Sequence, residues 1–371
     1  MQEDVTELLQ RQRAFWHREK VDRPLVTIVR YKPLVHRRLP LADGTVSEGD
    51  IELRPEMVNP ETFLNLEARR AEAGRLSLGG SFSVRSAFQR IPWVEAIIGC
   101  PIWADQNSGS MWSEAFLDGS AGDALAGWQG FHFSEDNPWY RKLLDLTRLL
   151  VQRNDGSYLV GHTLMRGPID LFRAAVGDAA MCLALYDTPD KAREMMAAAA
   201  DVFVAVAKGQ TALIPPFHGG YCSQFGIWGP GTVVRTQCDM SSIISAEMYR
   251  DLVLPYDVQI CRQFDYSVIH LHSGFLHTVD ALLEPEVPMA IEVALDTGST
   301  PVTVRDLVPT FRKILARKPL LVEGRLTADE FALLMESLPP RGLFIAAQIE
   351  EEEWPKMRPW LERFGGGPAA R

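Results

Sequence analysis

Short apolar runs alternate with longer segments of helical periodicity from residue 157 to the carboxyl terminus. The runs read SYLVGH, GYCSQFGIW, YSVIHLH, PMAIEVA, KPLLVEG and RGLFIAAQ. Between them, apolar residues recur at helical spacing, which predicts helices over 189–208, 245–264, 276–283, 304–315, 328–337 and 352–364. Ser245 and Thr327 are good start signals for two of these helices. Repeated strand–helix units without tight hairpins are typical of parallel strands joined by crossover helices.

This alternation favours an α/β fold, specifically a (β/α)8 TIM barrel with amino-terminal insertions. A further strand is predicted at residues 25–29, and the Trp-rich sequence up to about residue 140 predicts long loops. A barrel takes about 250 residues, so we assign the rest of the 371 residues to those insertions. We interpret residues 1–364 as one barrel domain and 365–371, GGGPAAR, as a flexible tail. A doubly wound sheet is the alternative, but no G-x-G-x-x-G follows a strand.

Composition narrows the class of protein. The net charge of −10 argues against nucleic acid as a partner, because phosphate binding needs clustered positive charge. The amino terminus lacks the apolar core of a secretory signal, and the apolar stretch 197–207 is too short to span a membrane. The five cysteines are widely spaced and form no C-x-x-C pair, which fits reduced thiols. We therefore expect a soluble cytoplasmic protein with a small-molecule substrate.

The candidate chemistry lies where the predicted strands end, because a parallel barrel builds its site at the carboxyl ends of its strands. His270 and His272 in VIHLHSG are two residues apart, so both imidazoles share one face of a strand. With Glu292 in the next run they would supply two nitrogens and a carboxylate to a metal and leave a position open. The alternative is a hydrogen-bonded core histidine beside one that contacts an organic ligand directly.

Other polar residues near the same strand ends complete the candidate site. Asp239 is either a general base or a local backbone cap, and Arg166 and Arg325 are candidates for holding a substrate carboxylate. The candidate catalytic residues are Asp239, His218 and His162. The candidate substrate-binding residues are Arg166, Tyr221, Trp228, Gln237, Arg325 and Gln348.

Four segments in order resemble the uroporphyrinogen decarboxylase superfamily. They are MRGPIDLFRAAVGDAAMCLALYDTPDKAREMM, QCDMSSIISAEMYRDLVLPY, IHLHSGFLHTVDALLE and LLVEGRLTADEF, and HREKVDRPLVTI resembles the family's entry segment. The resemblance covers most of the chain, from about residue 17 to 353. It implies a (β/α)8 barrel with the site at the carboxyl mouth.

The superfamily that the chain resembles holds two activities. True decarboxylases need no metal and carry an Arg-Gln-Ala-Gly-Arg segment, where this chain reads RYKPLVHRRLP. The other branch consists of methyltransferases that act with corrinoid proteins and hold zinc through His-x-Cys and a later Cys. His270 matches the family's His, whereas His272 stands in place of the first Cys and the last cysteine is Cys261. Loss of both thiolates indicates a harder N/O-ligated ion or no metal.

These observations rank three hypotheses. The first is a methyltransferase that uses Zn²⁺ or another divalent metal on His270, His272 and Glu292, with a corrinoid protein as partner. The second is a metal-free decarboxylase of a tetrapyrrole or smaller acid, in which Arg166, Arg325 and His162 bind carboxylates. The third is a catalytically silent barrel that binds a small molecule.

Overall fold

The computed structural model describes residues 5–31, 38–47, 49–71, 75–77, 80–117, 125, 128–296 and 302–363, with backbone alone for 66–71 and 75–77. The predicted tail, 365–371, and residues 32–37 of the RYKPLVHRRLP segment lie outside these ranges. One large cluster of buried apolar side chains extends from Val26 to Leu361. The assignment of 1–364 to one domain stays a prediction.

Six parallel strands form the centre of the molecule. They pair in the order β10, β11, β12, β13, β14, β1, and β3 adds an antiparallel strand beside β1. The strands of this sheet are β1 (Leu25–Arg30), β3 (Arg75–Ser77), β10 (Val233–Gln237), β11 (Tyr266–His272), β12 (Ala290–Leu295), β13 (Leu320–Arg325) and β14 (Leu343–Ile349). The α/β class and its parallel sheet are confirmed in this coarser form.

The remaining strands form three small sheets. An antiparallel sheet has the order β2, β5, β6, the parallel pair is β4 and β7, and β8 and β9 form a hairpin. The bounds are β2 (Asp50–Leu53), β4 (Val84–Arg85), β5 (Ile102–Asp105), β6 (Ser110–Ser113), β7 (Leu159–Val160), β8 (Tyr221–Cys222) and β9 (Trp228–Gly229). The long loops expected before residue 140 are therefore wrong in part, because that region contains helices and a three-stranded sheet.

Helices follow most of the parallel strands. The α-helices span Val5–Trp16, Pro60–Ala71, Trp93–Ile98, Pro138–Gln152, Pro168–Val176, Asp178–Asp187, Pro189–Leu213, Ala246–Met248, Leu254–Cys261, Val279–Leu282, Val304–Arg317, Ala328–Ser337 and Arg358–Arg363. Shorter 3-10 turns occupy Pro55–Met57, Asp239–Ile243 and Trp354–Met357, and a π-helical turn occupies Tyr249–Val253.

Local sequence explains where several helices begin and break. The hydroxyl of Thr327 accepts a hydrogen bond from the Glu330 main chain at 3.2 Å, and that of Ser245 accepts one from Met248 at 3.1 Å, so both predicted start signals are confirmed. The predicted helix 245–264 is interrupted by the π turn. Pro255 is the second residue after that turn and lacks an N–H group for a regular helical bond.

Strand register sorts the side chains of the parallel sheet by depth. On the face that lines the central cavity, the residues nearest the strand starts are apolar and pack with Phe15 and Trp16 of the first helix. One or two steps along each strand the same face becomes polar. The polar residues on this face of the strands, which form part of the cavity wall, include Thr27, Arg235, His270, Glu292, Glu323, Arg325 and Gln348.

One helix, Pro189–Leu213, is long and apolar enough to cross a membrane by length and composition alone. It contacts the helices Pro138–Gln152, Pro168–Val176 and Leu254–Cys261 through a buried apolar face. Its other face carries Asp201, which accepts a hydrogen bond from Gln259. These contacts make it a core helix of the globular α/β fold.

Candidate metal centre

Asp239, His270 and His272 lie together where two neighbouring parallel strands end. His272 is the last residue of β11 and His270 lies two residues before it. Asp239 follows β10 as the first residue of a 3-10 turn. The buried carboxylate of Asp170 fixes that turn, because it accepts hydrogen bonds from the main-chain N–H groups of Asp239 at 3.1 Å and Met240 at 2.9 Å. The adjacent strand therefore brings a carboxylate to the two imidazoles.

Each imidazole is bound to a carboxylate through the same ring nitrogen. His270 Nδ1 contacts Glu292 Oε1 at 2.9 Å, and His272 Nδ1 makes a short contact with Asp296 Oδ2. A neutral imidazole that donates its Nδ1 proton keeps a lone pair on Nε2, and this carboxylate–histidine arrangement is typical of metal-binding histidines. The rings lie 4.7 Å apart and nearly perpendicular, at 83°.

The carboxylate of Asp239 completes a donor set. One ligand atom from each of the three residues lies within 4.8 Å of the others. His272 Nε2 is 3.3 Å from Asp239 Oδ1, close to the roughly 3.4 Å between two donors on a tetrahedral zinc with bonds of about 2.1 Å. Among the described residues, that buried oxygen has no hydrogen-bond partner. A buried carboxylate oxygen that accepts no hydrogen bond and lies beside two imidazoles fits a divalent cation.

Glu292 lies apart from this donor set, contrary to the expectation that it binds the metal. Its side chain is only 1% exposed, and its two oxygens contact His270 Nδ1 and, at 3.3 Å, Arg235 Nε. Since both oxygens have partners, Glu292 orients His270 in this geometry, and Asp239 is the carboxylate within reach of a metal. From the sequence we expected the carboxylate to come from β12, whereas the carboxylate near both imidazoles follows β10, on the other side of β11.

Charges around the cluster hold its carboxylates ionised. Burial alone would raise the pKa of Asp239, but the contact with His272 and the charges of His270 and Arg166 outweigh it and lower that pKa. Contact with Asp239 in turn raises the pKa of His272 to about 9. Burial opposes ionisation of Glu292 as well, yet the neighbouring His270 and Arg235 lower its pKa. The cluster is thus built from negatively charged carboxylates beside positive charge.

Arg166 lies at the edge of the cluster rather than free in a pocket. Its Nη1 donates to the buried Glu95 Oε1 at 2.6 Å, and its Nε is 3.9 Å from Asp239 Oδ2. Gln237, also expected to contact substrate, is 4% exposed and donates to Asp239 Oδ2 at 2.7 Å. Both side chains therefore support Asp239.

A cavity of about 950 Å³ opens beside the cluster. Four arginines and three carboxylates contribute to its wall, together with aromatic and amide side chains. Of the residues expected to bind substrate, Arg325 and Gln348 lie in this wall. Arg325 also stacks on Tyr31, with its guanidinium carbon 4.0 Å from the ring centroid. The cavity is large enough for a drug-sized or larger ligand with charged groups.

The base of the hairpin of β8 and β9 lies at the amino-terminal ends of the parallel strands, whereas Gln224 and Phe225 near its bend line the cavity. Gly229 adjoins Val233 and Tyr266, the first residues of β10 and β11. Trp228 is fully buried, and its main chain bonds to Gln12 and Trp16 of the first helix. Tyr221 pairs with Gly229 in the same hairpin. The expected roles of Tyr221 and Trp228 in substrate binding are therefore at odds with their position, which is at the amino-terminal ends.

His218 and His162 also lie away from the cavity wall. His218 is exposed in a tight turn between Phe217 and Gly220, with a left-handed φ of 47°. His162 follows β7 but its Nε2 bonds to Thr211 Oγ1 at 2.7 Å on a flanking helix. Burial lowers the pKa of His162 to about 4, so it is neutral at pH 7. Their positions do not match the predicted catalytic roles.

Sequence patterns missed four polar residues that support the cluster. Arg235 lies on β10, a strand whose VVRTQ sequence was not predicted because the apolar run before it was read as one long strand. Glu95 lies in an early helix, within the region expected to form loops. Asp170 lies in the first turn of the helix Pro168–Val176 and Asp296 follows β12, but the contacts that define their roles span 69 and 24 residues of sequence.

Comparisons with known proteins identify the fold. No family model matches the sequence, and no curated protein matches it. Among solved structures, a methyltransferase from Methanosarcina mazei matches with a TM-score of 0.56 at 14% sequence identity. The match covers 92% of this chain and 93% of that one. At this identity the likeness shows a shared fold over nearly the whole chain.

Proposed function

We propose that this protein is a metal-dependent methyltransferase in which Asp239, His270 and His272 bind a divalent cation. The observation that carries the proposal is the pair of carboxylate-bound imidazoles beside the buried Asp239 Oδ1, which accepts no hydrogen bond among the described residues and lies 3.3 Å from His272 Nε2. Two imidazole nitrogens and a carboxylate oxygen suit zinc and the neighbouring divalent transition metals. The fold shared with a methyltransferase supports the reaction class.

The supporting residues have separate tasks in this proposal. Glu292 and Asp296 fix the orientation of the two histidines, and Asp170 and Gln237 fix Asp239. The cavity holds the substrate beside the cluster. A bound cation would supply Lewis acidity and an open position for a donor or acceptor atom.

Several finer features belong to the same proposal. We propose a divergent member of the uroporphyrinogen decarboxylase superfamily, with an eight-stranded barrel and a cytoplasmic location. The methyl donor or acceptor is a corrinoid, carried by a partner protein, or a small molecule. Because the site lacks thiolate ligands, a thiol acceptor is less favoured than in the zinc relatives that the sequence resembles.

The proposal is tested first by metal content. Protein expressed in zinc-, iron- or cobalt-supplemented medium is analysed for bound metal, beside the variants Asp239→Asn, His270→Ala and His272→Ala. We expect close to one equivalent in the wild type and a large loss in each variant. His218→Ala is the matched control, because that exposed histidine lies in a remote turn. Less than about 0.2 metal per chain in the wild type would overturn the metal site.

Reaction class is tested separately with the metal-loaded protein. Methylcobalamin is incubated with panels of thiol, amine and hydroxyl acceptors, and loss of its cobalt–methyl bond is followed by absorbance. Turnover that disappears in His270→Ala supports the proposal. Absence of turnover with fully loaded protein and every acceptor class argues against a corrinoid methyltransferase.

A metal-free decarboxylase is the second candidate. The observation that favours it is the arginine-containing wall of the cavity, which suits a substrate with carboxylates. In that case His272, whose pKa is raised, and Asp239 form an ion pair beside the substrate. Release of carbon dioxide from a polycarboxylate by metal-stripped protein would select this candidate over methyl transfer. If the histidine variants change only ligand affinity, a non-catalytic binding barrel is selected instead.

A further inference from the structure

Arg235 is the arginine that lies deepest in the cavity wall. It lies on β10 and pairs with Val268 of β11, two residues before the pair formed by Gln237 and His270. Its side chain is 7% exposed, yet it forms part of the cavity lining. Its guanidinium carbon lies 5.7 Å from the centre of the Phe225 ring. A buried arginine that faces a cavity positions charge where a ligand can reach it.

The guanidinium of Arg235 contacts two side chains, Glu292 and Gln237, that in turn contact residues of the cluster. Its Nε contacts Glu292 Oε2 at 3.3 Å, and Glu292 holds His270 Nδ1. Its Nη1 donates to Gln237 Oε1 at 2.5 Å, and Gln237 donates to Asp239 Oδ2. One side chain thereby holds the partners of two of the three candidate metal ligands.

The same side chain has donors left over. A guanidinium carries five N–H groups in a planar fork, and the two contacts above use the Nε edge and one proton of Nη1. In the described part of the chain, no nitrogen of Arg235 is both buried and unpartnered. Because Arg235 lines the cavity and the described residues give its Nη2 no hydrogen-bond partner, Nη2 is the donor within reach of a ligand there. Planar carboxylates and other oxyanions are the preferred partners of such a donor.

We propose that Arg235 binds an oxyanion group of the cavity ligand and couples that ligand to the metal. An anion bound on the free edge fixes the guanidinium, and through Glu292 and Gln237 it holds His270 and Asp239 in place for the cation. Arg235 is thus a positioning residue for the metal and a specificity residue for an anionic ligand. This inference rests on the metal site of the proposed function. Thermodynamic linkage requires that the cation strengthen anion binding by the same factor.

The experiment measures zinc affinity by competition with a chromophoric chelator, with acetate, with sulfate, or with chloride at matched ionic strength. In the wild type, saturating acetate or sulfate should raise zinc affinity about tenfold relative to chloride, within the usual range of allosteric coupling. This measurement needs no variant. Failure to bind zinc at all would refute the proposed function. Zinc binding that neither anion changes would refute the coupling alone.

Variants then assign the effect to Arg235. Arg235→Met should lower zinc affinity by about 10- to 100-fold, as loss of an outer-shell partner does, and should abolish the anion effect. Arg235→Lys keeps the positive charge but not the planar guanidinium, so it should retain a weakened anion effect. This variant also tests the proposal if Arg235→Met does not fold. Arg153→Gln is the control, because Arg153 lies in the cavity wall but bonds to Asn65 and Glu61. An anion effect that survives in Arg235→Met would show direct anion binding to zinc and overturn the proposal.

Discussion

His270 and Glu292 lie directly opposite each other on paired parallel strands, and His270 Nδ1 contacts Glu292 Oε1 at 2.9 Å. The register of β11 and β12 sets this contact, since both residues lie within the paired strands. A carboxylate in this place fixes the imidazole orientation and leaves the other nitrogen for a ligand. In the proposed metal site, Glu292 therefore acts through His270.

Replacement of Glu292 by Gln tests this role. The neutral amide cannot balance the imidazole and Arg235 as the carboxylate does, so zinc affinity should fall by about 10- to 100-fold. Competition with a chelator measures the change. Glu350→Gln is the control, because its ion pair is with Arg325, 3.8 Å away, and the described residues show no contact between Glu350 and the cluster. Equal zinc affinity in Glu292→Gln and the wild type would contradict the prediction.

The Asp296→Asn variant should separate metal affinity from stability. Asp296 binds His272 Nδ1 as Glu292 binds His270, but its side chain is 43% exposed. We expect zinc affinity to fall about tenfold, with a change of less than about 1 kcal/mol in the free energy of unfolding of the metal-free protein. Chelator competition and urea denaturation measure the two quantities. A loss of stability without a loss of zinc affinity would assign Asp296 a structural role.

Sequence periodicity predicted the elements around the site better than the site itself. The alternation of apolar runs predicted β11 to β14, and the H-x-H spacing placed both imidazoles on one strand face, because these patterns depend on neighbours in sequence. The partners of the imidazoles depend on strand register, which local patterns do not encode. Asp239 and Glu292 flank β11 on opposite sides, and the sequence could not decide which of the two faces the free nitrogens.

The amino-terminal side of the molecule shows a second limit. The run GYCSQFGIW has the composition of one strand, but the structure folds it into the hairpin of β8 and β9. Gly226 at the bend has a φ of 77°, and a side chain there would meet the main chain of Phe82 at 2.3 Å. This steric requirement comes from a distant segment. The hairpin places Tyr221 and Trp228 at the amino-terminal ends of the sheet rather than at the expected mouth.

Asp170 should contribute to both stability and metal affinity. Its carboxylate accepts the main-chain N–H groups of Asp239 and Met240, which begin the 3-10 turn. Asp170→Ala leaves these buried donors unpaired, which should cost about 1–3 kcal/mol of unfolding free energy. Zinc affinity should fall in parallel, because Asp239 loses its fixed position. Asp170→Asn keeps one acceptor and should lie between the alanine variant and the wild type. A fully stable alanine variant would contradict the capping role.

Asp257 should make stability depend on pH between about 4 and 7. Burial raises the pKa of this carboxyl to about 7. The carboxyl accepts a hydrogen bond from the Tyr249 hydroxyl at 2.8 Å. The folded state therefore holds a proton that the unfolded state releases near pH 4, so stability falls as pH rises through this window, by up to about 4 kcal/mol.

Asp257→Asn removes this titration. Relative to the wild type, the variant should gain stability steadily from pH 4 to pH 7 and keep a constant difference above that range. Urea denaturation at several pH values measures it. Asp201→Asn is the control, since Asp201 lies on the exposed face of the neighbouring helix. A stability difference independent of pH would show that Asp257 ionises in the folded state as it does in the unfolded state.

Replacement of Trp228 distinguishes a structural tryptophan from a substrate-binding one. Its indole is fully buried, Nε1 donates to Phe217 O at 2.7 Å, and Arg13 lies over the ring. Trp228→Phe keeps much of the apolar volume but removes one of the two hydrogen bonds to that carbonyl, which still accepts the Gly220 N–H at 3.0 Å, so it should cost about 0.5–1.5 kcal/mol of unfolding free energy. Zinc affinity and the anion effect should not change, because the residue lies at the amino-terminal ends of the strands. Trp103→Phe serves as the control for loss of an indole, since its buried Nε1 has no partner among the described residues. If Trp228→Phe weakens ligand binding in the cavity while stability is preserved, the substrate-binding role predicted from the sequence is correct and the structural one is wrong.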